Sequence, residues 1–376
     1  IASKVRYLAY QKVKELPILS EGKYKGGFIV ERSSKRHKPH GLLARRTLGY
    51  VRTNAISVGM EGAYDEYLAG EYGTIKKKKV NGKWRPVSDY IKEPVNGADV
   101  ITAIDINIQD LAENELMKQL EYQNAKHGSV VLMEVETGYI KAIANLTRDD
   151  KGNYDETYNH AVGSKTVPGS TFKLATLMAL LEDGKANVNQ KVNATGAYDF
   201  YDRKLTDSNG KGYGKISLKE AFEVSSNVGI VKLIYDKYGN DPQRFVDRLY
   251  TLGLHKTLDL PIKGEGSPNI PKPSDDTWSG ITLPWMSFGY QVSLTPLQLL
   301  TFYNAVANNG VMIRPRFVES ISKHGKIMQQ NEVEVLNPAI CSQETLGKIR
   351  PMLEGVVLRG TATNIENEQV TIAGKT

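Results

Sequence analysis

Apolar residues recur at helical spacing along five stretches of the chain, 171–182, 216–236, 241–252, 296–308 and 343–355, and each predicts a helix. A sixth follows Asp105, which can cap a helix presenting Ile108, Leu111, Ala112, Leu116 and Leu120 on one face. Between residues 129 and 144 the period changes. Ser129 to Met133 and Tyr139 to Ala144 flank Glu136-Thr137-Gly138 as a hairpin, the opening strands of an antiparallel sheet. An α+β domain over 99–376, with helices on both faces of that sheet, is the expected result. Residues 1–98 read as a separate domain holding a basic helix, short strands and a hairpin that turns at Asn81-Gly82 in type I′ geometry. The polar link Glu93-Pro94-Val95-Asn96-Gly97 closes it, and no internal repeat is visible.

Composition narrows the class. The 376 residues allow two or three domains with a sizeable core, and Cys341, being alone, can form no internal disulfide. Part of the net charge of +7 sits in Lys76-Lys77-Lys78-Lys79. A solvated strand edge that resists pairing is the plainer reading of this run; attraction to an anionic lipid or polymer is its rival. No nucleic-acid-binding module occurs, and the six histidines show no metal-ligand spacing, so neither a nucleic-acid partner nor a metal or other cofactor is expected. No apolar run is long enough to span a bilayer.

Candidate chemistry centres on Val167-Pro168-Gly169-Ser170-Thr171-Phe172-Lys173. Pro168-Gly169 breaks what precedes, and Leu174, Ala175, Leu177, Met178, Leu180 and Leu181 start an apolar helix. Ser170 then falls in the first turn with Lys173 on the same face, a hydroxyl nucleophile beside an amine base. The positive end of the helix favours charge developing on the serine oxygen. Bare S-x-x-K spacing is common, and Ser20/Lys23, Ser208/Lys211 and Ser320/Lys323 share it. Those three lie among glycine, asparagine or charged residues, and are expected to be loop or surface positions.

Two further motifs follow in order. Ser225-Ser226-Asn227 forms an S-x-N triplet, and Ile372-Ala373-Gly374-Lys375-Thr376 is the start of K-T-G. The three together resemble the set shared by penicillin-binding proteins and class A β-lactamases. The phrases V-P-G-S-T-F-K (167–173), S-S-N-V-G (225–229), G-Y-Q-V-S-L-T-P-L-Q (289–298), A-N-N-G (307–310) and G-T-A (360–362) resemble class B penicillin-binding proteins, the D,D-transpeptidases of peptidoglycan synthesis. L-A-R-R-T-L-G-Y-V (43–51) and G-M-E-G-A-Y-D-E-Y-L-A-G (59–70) are similar to that family's non-catalytic pedestal.

The resemblance implies a penicillin-binding, serine β-lactamase-like fold on a 1–98 pedestal. It implies that Ser170 attacks the penultimate D-alanine carbonyl of a stem peptide ending in D-Ala-D-Ala, that Lys173 accepts the proton, and that Ser225 relays a proton to the leaving D-alanine. Asn227 would fix the Lys173 amine and the substrate amide, and Lys375 and Thr376 would bind the terminal carboxylate on a strand that pairs with the peptide. It also implies inhibition by β-lactams, a membrane glycosyltransferase or divisome partner, and a single N-terminal anchor in the inner membrane with this region in the periplasm. The short gap between Gly49-Tyr50-Val51 and Gly59-Met60-Glu61 favours the septal, division-type branch.

The sequence departs from the family pattern at its end, where the glycine of K-T-G would follow Thr376. The polypeptide is expected to continue with that glycine, which would bring the second oxyanion amide beside that of Ser170. Rival readings are weaker. A Walker A loop ending at Gly374-Lys375-Thr376 would need glycine where Gln369 stands, and no G-x-S-x-G elbow occurs. A serine β-lactamase would want E-x-x-L-N, but Val333 occupies the glutamate position before Leu336-Asn337. A β-lactam-sensing receptor domain stays open as a third reading, although neither it nor a β-lactamase would need the pedestal.

Overall fold

The structure, a computed structural model, describes residues 5, 7–30, 37–51, 56–80, 82–201 and 203–376. Their contacts divide the chain into two compact units, Ile1–Leu42 and Leu43–Thr376. The first holds a basic helix, Tyr7–Lys14, followed by the short helical turns Leu19–Glu21 and Gly22–Lys25, with Tyr10 stacked on Phe28 at 6.1 Å.

In the second unit Asp105 opens the Ile106–Tyr122 helix by accepting from the backbone amides of Asn107 and Ile108. Leu116 and Leu120 are buried, but Leu111 is exposed, and Gln109 takes a buried place instead. The reason is a strand's unpaired backbone. Gln109 Nε2 donates to Ile143 O at 3.0 Å and its Oε1 accepts from Ile143 N at 2.8 Å, so the side-chain amide stands in for a ladder partner.

The predicted hairpin forms from His127–Met133 and Ile140–Arg148, pairing Val130 with Ala144 and Val131 with Ile143. Tyr154–Asp155 adds a third strand. A second antiparallel sheet joins Asp99–Thr102, Val318–Lys323 and Lys326–Gln330. Hydrogen bonds from Ile140 N to Arg316 O and from Arg316 N to Gly138 O tie the start of Ile140–Arg148 to the residues leading into Val318–Lys323. Ile140–Arg148 is covered on both faces. Ala144 and Leu146 pack with Leu116 and Leu120, whereas Ile140 and Ile143 pack with Leu297, Ile313 and Phe317. The expected arrangement of antiparallel sheet between helices is borne out.

Residues 43–98 belong by contact to this second unit. The Arg45 guanidinium pairs with Asp155 at 2.9 Å, Arg46 N donates to Glu156 at 2.8 Å, and Met60 joins the apolar cluster around Ile140. The lysine run lies on Thr74–Val80, which pairs with Lys83–Lys92 through Val80 and Lys83 across the turn; Asn81 lies outside the described residues.

Helices Pro242–Thr251, Pro296–Ala307 and Gln343–Leu358 fall where the pattern places them, the second with a Thr295/Gln298 capping box. The stretch 216–236 differs. It is two helices, Leu218–Glu223 and Asn227–Tyr238, because Ser217 and Ser226 each cap a new start and Ser225 between them has φ +59°. No helix of the described residues is long and apolar enough to cross a membrane.

Candidate active site

The segment 169–173 is built around a backbone break. Gly169 has φ +58° and its amide donates to Gly289 O at 3.2 Å. Gly169–Phe172 is a 3-10 turn running into the Lys173–Glu182 helix, so Ser170 precedes the α-helix that the sequence places it in. Residues three apart lie on the same side of such a turn, which leaves Ser170 and Lys173 on one face. Tyr303 Oη donates to Thr171 O at 2.7 Å, and Thr171 Oγ1 donates to Pro168 O at 2.6 Å, fixing the turn from both sides. Ser170 is half-buried, whereas Lys173 is wholly buried, like every residue of its helix before Glu182.

An ammonium sealed from water requires acceptors. Lys173 Nζ has three, donating to Asn227 Oδ1 at 2.6 Å, Ser225 O at 2.7 Å and Ser225 Oγ at 3.2 Å. The left-handed turn at Ser225 is what presents its carbonyl and hydroxyl to one amine. Burial is the main force lowering the Lys173 pKa to about 7, the Lys375 charge adds to it, and Asp207 opposes. Burial also pushes Lys375 down, to about 8.

Lys375 lies over the Phe222 ring with Nζ 5.9 Å from its centroid, and donates to Thr376 O at 2.8 Å. The Thr376 hydroxyl meets that of Thr361, and Gly374 N donates to Leu353 O at 3.1 Å. Lys375 and Thr376 do not lie on a paired strand here, in contrast to the sequence reading. A strand needs a ladder partner, and among the described residues none runs beside 371–376.

Lys173, Ser225 and Asn227 are thus joined directly, Ser170 is one 3-10 turn from Lys173, and Lys375 is close enough for its charge to act on Lys173. The arrangement can store a proton on a lysine poised near neutral pH between two hydroxyl-bearing motifs. Sequence reasoning missed Asp207 and Tyr303, and held Gly289 only as the first residue of the 289–298 phrase. Asp207 sits in a polar Thr-Asp-Ser-Asn-Gly stretch with only the composition of a loop. Of the decoys, Ser20 is exposed and donates to Pro17 O. Ser320 is buried, not at the surface, but it lies on the strand Val318–Lys323, where residues three apart point to opposite faces.

Residues 128–376 match the family model of the penicillin binding protein transpeptidase domain. The chain belongs to this family. The class B resemblance read from the motifs is borne out by its relatives. The chain is similar to the penicillin-binding protein PbpB of Mycolicibacterium smegmatis, 28% identical over 367 residues covering 92% of this chain and 55% of that one. It is 30% identical to the peptidoglycan D,D-transpeptidase FtsI of Escherichia coli over 295 residues, 76% of this chain and 48% of that one. The penicillin-binding protein 3 of Mycobacterium tuberculosis, solved in complex with ampicillin, superposes with a TM-score of 0.71 at 25% identity, covering 86% of this chain and 69% of that one. The chain spans about half the length of the curated relatives it matches.

Proposed function

We propose that the protein is a peptidoglycan D,D-transpeptidase working through a Ser170 acyl-enzyme and blocked by β-lactams. Ser170 Oγ bonds to the penultimate D-alanine carbonyl as its proton passes to Lys173. The scissile amide breaks, and the terminal D-alanine leaves with a proton relayed through Ser225. An acceptor amine from a second stem peptide then attacks the acyl carbon and frees Ser170. Asn227 orients the Lys173 amine, and Lys375 with Thr376 takes the substrate carboxylate. The observation that carries this reading is Lys173 itself, wholly buried, held by both residues of the S-x-N motif, and lowered to about 7. A lysine works as a base only when neutral, and a pKa lowered to about 7 leaves a substantial share of it neutral near physiological pH.

The same reading makes residues 1–98 a non-catalytic pedestal for 99–376. It puts the region in the periplasm of a membrane-anchored protein with a glycosyltransferase or divisome partner. The short 49–61 gap supports the division branch. The test is incubation with fluorescent penicillin followed by label retention over time. A transpeptidase holds the adduct for minutes to hours because its site excludes hydrolytic water. Turnover of penicillin many times per second would replace this reading with a β-lactamase.

A further inference from the structure

We propose that Asp207 is a positioning residue for acyl transfer, its carboxylate gripping the turn that carries Ser225 and Asn227 and holding both against Lys173. The inference rests on the transpeptidase reading above and deepens it. Asp207 is buried, 3% exposed, just after the Arg203–Thr206 strand and outside all three motifs. Its Oδ2 accepts from Ser226 Oγ at 3.0 Å, and its Oδ1 accepts from Asn227 N at 2.5 Å and Val228 N at 3.0 Å. These amides open the Asn227–Tyr238 helix, where backbone donors have no partner within the helix and negative charge is favoured. Ser226 Oγ meanwhile accepts from Gly229 N at 3.0 Å, so the middle residue of S-x-N passes the grip along the helix start.

The neighbouring backbone completes the hold. Asn227 Nδ2 donates to Thr206 O at 3.2 Å, which leaves Oδ1 as the side-chain atom that meets Lys173 Nζ. A flipped amide would turn its own donors on the lysine and lose both bonds. Ser225, one residue before this clamp, keeps a φ of +59°, a left-handed conformation that strains a non-glycine residue. Two consecutive segments, Thr206-Asp207 and Ser226-Asn227, therefore fix one another, and the geometry at Lys173 depends on both.

Asp207 also acts through charge. The groups bearing on Lys173 are the Lys375 cation, which lowers its pKa together with burial, and the Asp207 carboxylate, which raises it. Removing that carboxylate lets Lys173 shed its proton at lower pH. A purely structural role would leave the pH dependence where it is.

The test is the rate of Ser170 acylation by benzylpenicillin against pH in full-length protein, for the wild type, Asp207→Asn and Asp207→Ala. The asparagine keeps Oδ1 as acceptor for both amides, deletes the charge and, because its Nδ2 only donates, loses the acceptor for Ser226 Oγ, so its acid limb moves down by roughly half to one pH unit while its melting temperature falls less than that of Asp207→Ala. Alanine also removes the grip, and its plateau rate falls by about 10²-fold, the scale expected when a catalytic group is misplaced. An unmoved acid limb in Asp207→Asn, or a wild-type plateau in Asp207→Ala, overturns the inference alone. Absence of acylation in the wild type overturns the transpeptidase reading and this inference with it. Should the alanine variant fail to fold, the asparagine limb still decides.

Discussion

Two lysines with opposite requirements set the expected pH behaviour. On the proposed reading Lys173 must be neutral to take the Ser170 proton, which holds above about 7, while Lys375 must be charged to bind a carboxylate, which holds below about 8. Acylation by an anionic β-lactam should therefore trace a narrow bell, rising through pH 7 and falling through pH 8, as stopped-flow rates across pH would read. A rate that climbs to pH 10 would detach Lys375 from substrate binding. Lys173→Arg should be close to inactive at every pH, because guanidinium does not release its proton. The residue types and their order were legible in the sequence, since S-x-x-K, S-x-N and K-T carry their chemistry in local spacing. Asp207 was not, because its significance comes from touching residues 226–228 across a loop.

Among elements, the Ser170 turn is shaped by the turn that follows the Thr282–Ser287 helix, more than a hundred residues later. Gly289 has φ +88°, and a Cβ there would meet Gly169 O at 1.9 Å, backbone that cannot swing aside. Gly289→Ala should lower stability by a few kcal/mol through left-handed strain and overlap, and slow acylation by about 10²-fold by shifting the Ser170 turn. Thermal melts and acylation rates measure the two effects; a variant of wild-type rate would show that the 169–289 contact does not set the nucleophile. Helix starts and the 127–148 hairpin could be read from capping residues and apolar period. The break at 224–226 could not, as Ala221 to Ile230 keeps a continuous helical pattern and only the left-handed Ser225 interrupts it. Gln109 makes the same point, a polar residue buried because Ile143 lacks a ladder partner on that side.

Across the whole molecule, residues 43–50 are fastened to the sheet by a buried carboxyl. Glu156 accepts from Arg46 N and Asn145 Nδ2, and burial, with the Glu113 carboxyl adding to it and Arg46 opposing, pushes it up to about 7. Its pKa is raised on folding, so its stabilising contribution is complete below about 4.5 and is lost as pH rises through 7. Unfolding free energy should fall between pH 5 and pH 8 more steeply in the wild type than in Glu156→Gln, by roughly 2–3 kcal/mol, in denaturant titrations at both pH values. Equal slopes would mean that Glu156 is ionised throughout. This attachment was hidden from sequence reading because it runs through the Arg46 backbone amide.

The central claim is tested most directly by mass spectrometry of tryptic peptides after penicillin treatment of the full-length protein. The penicilloyl group should appear on residues 166–173, at Ser170 alone, and should be absent from Ser170→Ala. An adduct on another serine, or normal labelling of Ser170→Ala, would contradict the account.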